Sequence, residues 1–176
     1  MRWACARELY TEPQLDDTYL AFALYAFIQP ITLPDTYRSV FRVGLFSAQT
    51  AIVTGGGSGL GRCNAHELAS LGAKVALVGR KIEKLSGVKD EITRAGGEAR
   101  CYACDIREED AVKQAVTSIL ADFGRIDALV NNAGGQFAAP LESISAKGWE
   151  TVVRTNLTGG FLVARECYTQ WMKAAR

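Results

Sequence analysis

Five glycines fall within the seven positions 55 to 61, directly after the apolar run Thr50-Ala51-Ile52-Val53-Thr54. Glycine loses more backbone freedom on folding than any other residue, so a cluster this dense is costly unless a Cβ would be in the way. The run before it reads as a buried strand, and Arg62 to Leu71 reads as a helix ended by Gly72. A glycine turn between strand and helix aims main-chain N–H groups at the place where a dinucleotide pyrophosphate would sit, on the positive end of the helix dipole. The competing reading is a tight β-to-α corner that holds nothing.

The chain after the turn is regular. Lys74 to Val78 reads as a second buried strand, Lys81 to Arg94 as a polar-faced helix before Gly96-Gly97, and Ala99 to Ala103 as a third strand. Glu108 to Phe123 carries Ala111, Ala115, Ile119 and Leu120 at helical spacing and stops at Gly124. Ile126 to Val130 is a fourth strand, and a last helix from Ser145 or Ala146 is expected to run through Met172. Near-continuous apolar strands alternating with helices imply a parallel sheet covered on both faces. The fold class is therefore α/β: a Rossmann-type doubly wound parallel sheet of about four strands, order 3-2-1-4, in three α/β/α layers.

Residues 1–37 differ in character from the 38–176 domain. Tyr19 to Pro34 is apolar but broken by Gln29-Pro30, too short for a membrane span. Asp16-Asp17 precede it where a signal peptide would carry basic residues. Asp17 or Thr18 caps a short helix expected to end near Ile28. With a formal net charge of +1, nothing attracts nucleic acid or an anionic membrane. The five cysteines (5, 63, 101, 104 and 167) form no framework pattern, so a reducing compartment is expected. Cys101-x-x-Cys104 has no second pair, and the lone histidine, His66, is distant in sequence, so the two read as small apolar residues near a strand end.

The end of the second strand separates the cofactor classes. An NAD-preferring site places a carboxylate there for the ribose 2′-hydroxyl. Here the strand ends Val78-Gly79-Arg80-Lys81. Arg80 can clamp a 2′-phosphate bidentately and Lys81 can add a point charge. The alternative, two solvated cations at a helix start, is mildly unfavourable because helix starts disfavour positive charge. The expected cofactor is NADP(H).

Thr54-Gly55-x-x-x-Gly59-x-Gly61, Asp105 after the third strand, Asn131-Asn132-Ala133-Gly134, and Asn156 within Thr155-Asn156-Leu157-x-Gly159 resemble the short-chain dehydrogenase/reductase superfamily in order and spacing. The stretch from Asn131 through Phe137, with Ile144 to Trp149 and Thr155 to Gly159, is similar to peroxisomal-type trans-2-enoyl-CoA reductases and 2,4-dienoyl-CoA reductases. The resemblance covers about residues 40 to 175 and implies roles. Gly55, Gly56, Gly57, Ser58, Gly59, Leu60 and Gly61 would wrap the pyrophosphate, Ser58 offering a hydroxyl. Asp105 would accept from the adenine amino group, with Ile106 donating from its main chain beside it; Asp105 could equally cap the next helix. Asn132, Ala133 and Gly134 would line the ribose, and Asn131 would brace the sheet. Asn156 would be the member of the catalytic set that supports a proton-relaying water. The implied substrate is a small-molecule acyl-CoA, with homo-oligomers usual in the family.

The family's proton donor is a Tyr-x-x-x-Lys pair, and none is encoded here. Tyr10, Tyr19, Tyr25, Tyr37, Tyr102 and Tyr168 are followed four residues on by Gln14, Ala23, Gln29, Phe41, Ile106 and Met172. Tyr168 and Lys173, five apart, would point about 140° from one another on an α-helix. The chain stops at Arg176, where the family enters a fifth strand and the helix carrying Tyr and Lys. The expectation is a C-terminally truncated reductase of enoyl- or dienoyl-CoA, inactive alone and exposing its fourth strand at an open edge, which leaves it marginally stable, aggregation-prone or dependent on a partner. The alternatives are a non-catalytic nucleotide-binding module, or a reductase of ketone or hydroxy substrates in its full-length form. The ending Lys173-Ala174-Ala175-Arg176 is no peroxisomal address, so the cytoplasm is expected.

Overall fold

Four runs pair side by side in the computed structural model, which describes residues 39–175. They are β1, Thr50–Thr54; β2, Lys74–Gly79; β3, Glu98–Ala103; and β4, Ala128–Val130. Every pairing is parallel and the order is β3-β2-β1-β4, as the sequence implies. Thr54 stands opposite Val78, Gly79 opposite Ala103, and Val53 opposite Val130, so the four strands finish close to one level. The segment 1–37, with its expected helix and Cys5, lies outside the described residues.

Side chains alternate across a strand, and the sheet therefore has two cores. Ile52, Ala76, Val78 and Tyr102 pack on one side against α3, Glu109–Phe123, and α5, Gly160–Cys167. Val53, Val75 and Leu77 pack on the other against α1, Gly59–Ser70, and α2, Ile82–Arg94. Ile52, Val53 and Leu77 are 0% exposed, each contributing about 1.5–3 kcal/mol by leaving water. The buried face of α1 is Gly61, Ala65 and Ala69, small residues that let it lie close to the sheet. α3 ends at Gly124, whose φ of 76° is left-handed and suits glycine. Among the described residues no helix is long and apolar enough to cross a membrane.

Three boundaries differ from the sequence reading. α1 begins at Gly59, not Arg62, because packing on the sheet overrides the poor helix propensity of glycine. β4 begins at Ala128, not Ile126: Ile126 is buried, but Asp127 turns to accept the Thr50 N–H at 2.8 Å. The last helix starts as α4, Ala146–Val153, capped by the Ser145 hydroxyl, which accepts from Gly148 N at 3.1 Å. It reaches Met172 through two π-helical segments, Arg154–Gly159 before α5 and Tyr168–Met172 after it. The second corrects the α-helical geometry expected for Tyr168 and Lys173. Lys173 N donates to Tyr168 O at 2.9 Å, the i→i+5 bond of a π turn, which brings residues five apart onto one side.

Candidate functional site

The strand ends surround a crevice of about 540 Å³. Its floor is the glycine turn. Gly55 has a φ of +67°, and a Cβ there would come within 2.9 Å of the Asn132 amide. Gly61 is tighter still: a Cβ would fall on the Gly55 carbonyl oxygen and 2.5 Å from Asn132 Nδ2. The turn and the start of α1 are thus in backbone-to-backbone contact, which only glycine permits. Gly56 sits over Leu77, and Gly57 faces the first turn of α2 at Lys84. Ser58 is the N-cap of α1, yet its side chain caps nothing. The first N–H groups of a helix have no intrahelical acceptor, and here Ser58, at the start of that helix, lines the crevice.

Thr54 ties the β1 turn to the β4 turn. Its buried hydroxyl donates to Val130 O at 3.3 Å and accepts from Asn132 N and Ala133 N, both at 3.0 Å. Asn132 Nδ2 donates to Thr54 O at 2.9 Å and Gly55 O at 3.5 Å. Of the roles expected for the asparagine pair, that of Asn131 as the brace of the sheet is corrected. Asn132 lines the crevice, but its amide nitrogen braces β1; Asn131 instead donates to Gly160 O at 3.0 Å, joining the strand end to α5. Ala133 and Gly134 present backbone to the crevice. Replacing Asn132 with Ala removes a part-buried brace and is expected to cost about 1–3 kcal/mol in urea unfolding. The isosteric Asn132→Asp should lose nearly as much, since a carboxylate cannot donate.

Cations gather at the outer end. Arg80, Lys81 and Lys84 all line the crevice, and none of their side chains has a hydrogen bond or salt bridge among the described residues. The two residues directly after β2 are Arg80 and Lys81, with no carboxylate at the strand end. Asp105 lies across from them with its carboxylate held by Arg107, which donates from its main chain, Nε and Nη2. Those bonds, with further help from Arg80, hold the Asp105 pKa at about 2 against the opposing effect of burial. Asp105 is not a helix cap: the cap position of α3 is Glu108, and Asp105 closes a turn two residues long onto Arg107 N. The Ile106 side chain is buried under Gly159, while its main-chain N–H bonds to no acceptor among the described residues.

Asn156 lies on the first π segment, a departure from α-helix that recurs at functional sites. Gly135 N donates to its Oδ1 at 2.8 Å and its Nδ2 donates to Gly135 O at 2.9 Å. Both amide groups are engaged with the loop after β4, so in this chain Asn156 positions that loop and does not itself line the crevice. Beyond it, Phe137 leans on Gly148 of α4 and stays half exposed at the crevice mouth.

Of the residues singled out from sequence, Gly55, Gly57, Ser58, Arg80, Lys81, Asp105, Ile106, Asn132, Ala133 and Gly134 meet around this crevice. Gly56, Gly59, Leu60 and Gly61 do not line it: Gly56 and Gly61 pack behind the turn, Gly59 opens α1 with nothing near its would-be Cβ, and Leu60 is exposed. Thr54, Lys84 and Arg107 were missed as functional residues. Lys84 had a signal, being four residues from Arg80 at a helix start; Arg107 had none beyond following Asp105 by two. Tyr168 and Lys173 do not line the crevice. A glycine cradle, a helix start with free donors and unpaired cations 20 or more residues on fit a phosphorylated dinucleotide.

A model of the short chain dehydrogenase family matches residues 49–176. A probable 2,4-dienoyl-CoA reductase of Bacillus subtilis (strain 168) is 36% identical over 124 residues, 70% of this chain and 49% of its own length. The chain thus spans about half the length of the curated relatives it matches. Among solved structures, a citronellol catabolism dehydrogenase of Pseudomonas aeruginosa PAO1 superposes with a TM-score of 0.76 at 62% identity, over 79% of this chain and 57% of that one. A metagenomic short-chain oxidoreductase in complex with NADP superposes at 0.68 with 44% identity, over 74% of this chain and 59% of that one.

Proposed function

Because the chain belongs to the short-chain dehydrogenase family, we propose that it is the NADP(H)-holding half of a cytoplasmic oxidoreductase acting on an enoyl- or dienoyl-CoA. The observation that carries the cofactor choice is Arg80, unpaired at the end of β2 where an NAD site would place a carboxylate. The NADP-bound relative supports it. The nicotinamide, when bound, supplies hydride. The chain's own residues do the holding. The turn from Gly55 to Gly61 and the start of α1 take the pyrophosphate, Ser58 adding its hydroxyl. Arg80 and Lys81 take the 2′-phosphate, with Lys84 beside them. Asp105 and the Ile106 N–H take the adenine. Ala133 and Gly134 flank the ribose, with Asn132 and Thr54 keeping the β1 and β4 turns at fixed separation. Asn156 keeps the Gly135 loop in place at the reacting end.

The acyl-CoA reading draws on the dienoyl-CoA reductase relatives and on the apolar, half-exposed Phe137 at the crevice mouth. A second reading, a hydroxy or carbonyl substrate of the terpenoid class, is favoured by the 62% identity to the citronellol catabolism dehydrogenase. Neither chemistry has its proton donor among residues 1–176, which contain no Tyr-x-x-x-Lys. With NADPH and crotonyl-CoA, the 176-residue chain is expected to consume reduced nicotinamide no faster than the blank. A rate that disappears in Asn156→Ala would overturn that. A longer product carrying the pair should turn over, and its preference for enoyl-CoA over citronellal, or the reverse, decides between the substrate readings.

A further inference from the structure

Resting on the NADP(H) reading above, we propose that Lys84 is a specificity-determining residue for the 2′-phosphate, brought to the crevice by the missing Cβ of Gly57. Gly57 has no positive φ, so its backbone conformation would admit other residues. The space would not. A Cβ there would lie 3.0 Å from Lys84 Cβ, 3.3 Å from the Lys84 carbonyl carbon and 3.3 Å from Leu85 Cδ2. The first turn of α2 therefore rests directly on the glycine turn. A Cβ on Gly79, the last residue of β2, would meet the same Leu85 Cδ2 at 3.4 Å. Leu85, 2% exposed, is thus held between the glycine turn and the end of β2, and the Lys84 side chain starts at that contact. One ribose carries both the 2′-phosphate and the link to the pyrophosphate. A 2′-phosphate must then fall between the pyrophosphate cradle and the end of β2, where Lys84 is rooted.

The charges of this turn lack partners. Lys84 N and Leu85 N both donate to Lys81 O, at 3.2 and 3.3 Å, which closes the turn and sets Lys81 and Lys84 on one face. Like charges so placed repel each other, and a helix start adds to the cost. Later in α2 the cations are satisfied. Lys89 Nζ lies 3.3 Å from Asp90 Oδ1, and Arg94 Nε donates to Asp90 O at 3.3 Å. The Lys84 ammonium has no such bond among the described residues, and it lines the crevice with Arg80, Lys81 and Gly57. A phosphate there relieves the repulsion and takes a charge-assisted hydrogen bond from Lys84 beside the fork of Arg80.

Equilibrium binding of NADPH and NADH to Lys84→Gln, Gly57→Ala and the double variant tests this, retained NADH affinity reporting that each variant is folded. Lys84→Gln should weaken NADPH about tenfold and NADH by less than about twofold, and should flatten the salt dependence of NADPH binding. Lys84→Arg should keep the wild-type preference. Gly57→Ala should lower the ratio of NADPH to NADH affinity about threefold, and by much less once Lys84 is Gln, because it acts through that side chain. An unchanged ratio in Lys84→Gln or in Gly57→Ala would overturn the assignment, as would a Gly57→Ala effect undiminished in the double variant. Each of these leaves the NADP(H) reading standing if Arg80→Gln still lowers the ratio. If NADPH and NADH bind alike in the wild type, that reading falls and takes the role of Lys84 with it.

Discussion

Gly61→Ala is expected to weaken NADPH binding by about 100-fold or more while leaving the chain folded. The added methyl falls on the Gly55 carbonyl oxygen and against the Asn132 amide. Neither can swing aside as a flexible side-chain tip would, because one is backbone and the other is held to Thr54. Relief has to come from moving the glycine turn off the start of α1, which misplaces the donors meant for the pyrophosphate. Overpacking costs about 1–3 kcal/mol, and replacing glycine inside a helix returns up to about 1 kcal/mol. Global stability should therefore fall modestly while binding collapses. Gly87→Ala is the control. Gly87 lies in the exposed middle of α2 with no neighbour near its would-be Cβ. That change should raise stability by about 0.5–1 kcal/mol and leave the NADPH affinity unchanged. Similar binding losses in both variants would show that the contact at Gly61 is not what shapes the site.

Arg80→Asp should invert the cofactor preference. Removing a hydrogen-bonded partner from a charge pair costs about 2–5 kcal/mol, and a carboxylate in its place repels the 2′-phosphate as well. NADPH should weaken at least about 100-fold, whereas NADH should hold or tighten, since the new carboxylate can accept from the ribose hydroxyls. The NADPH affinity of the wild type should also fall with added salt more steeply than that of the variant. Equal losses for the two cofactors would remove Arg80 from the phosphate.

The sheet was legible from residues 50 to 130 because β1, β2 and β4 are short apolar runs, β3 alternates, and each helix is closed by glycine, so strand order followed from right-handed crossovers. The glycine turn was legible for the same reason, as local chemistry. What the sequence hid is non-local. The bracing of β1 by Asn132 and not Asn131 depends on which amide faces Thr54 across 78 residues of chain. The grip of Arg107 on Asp105 depends on a side-chain rotamer within a turn, and the π segments leave no mark in the apolar spacing of the last helix. Periodicity reports which face is apolar; it does not report which polar group is already taken.

Titration of the purified chain with NADPH tests the central claim most directly. The account predicts saturable binding of one NADPH per chain, at least about tenfold tighter than NADH. No saturable binding, or an affinity for NADH equal to or above that for NADPH, would contradict it.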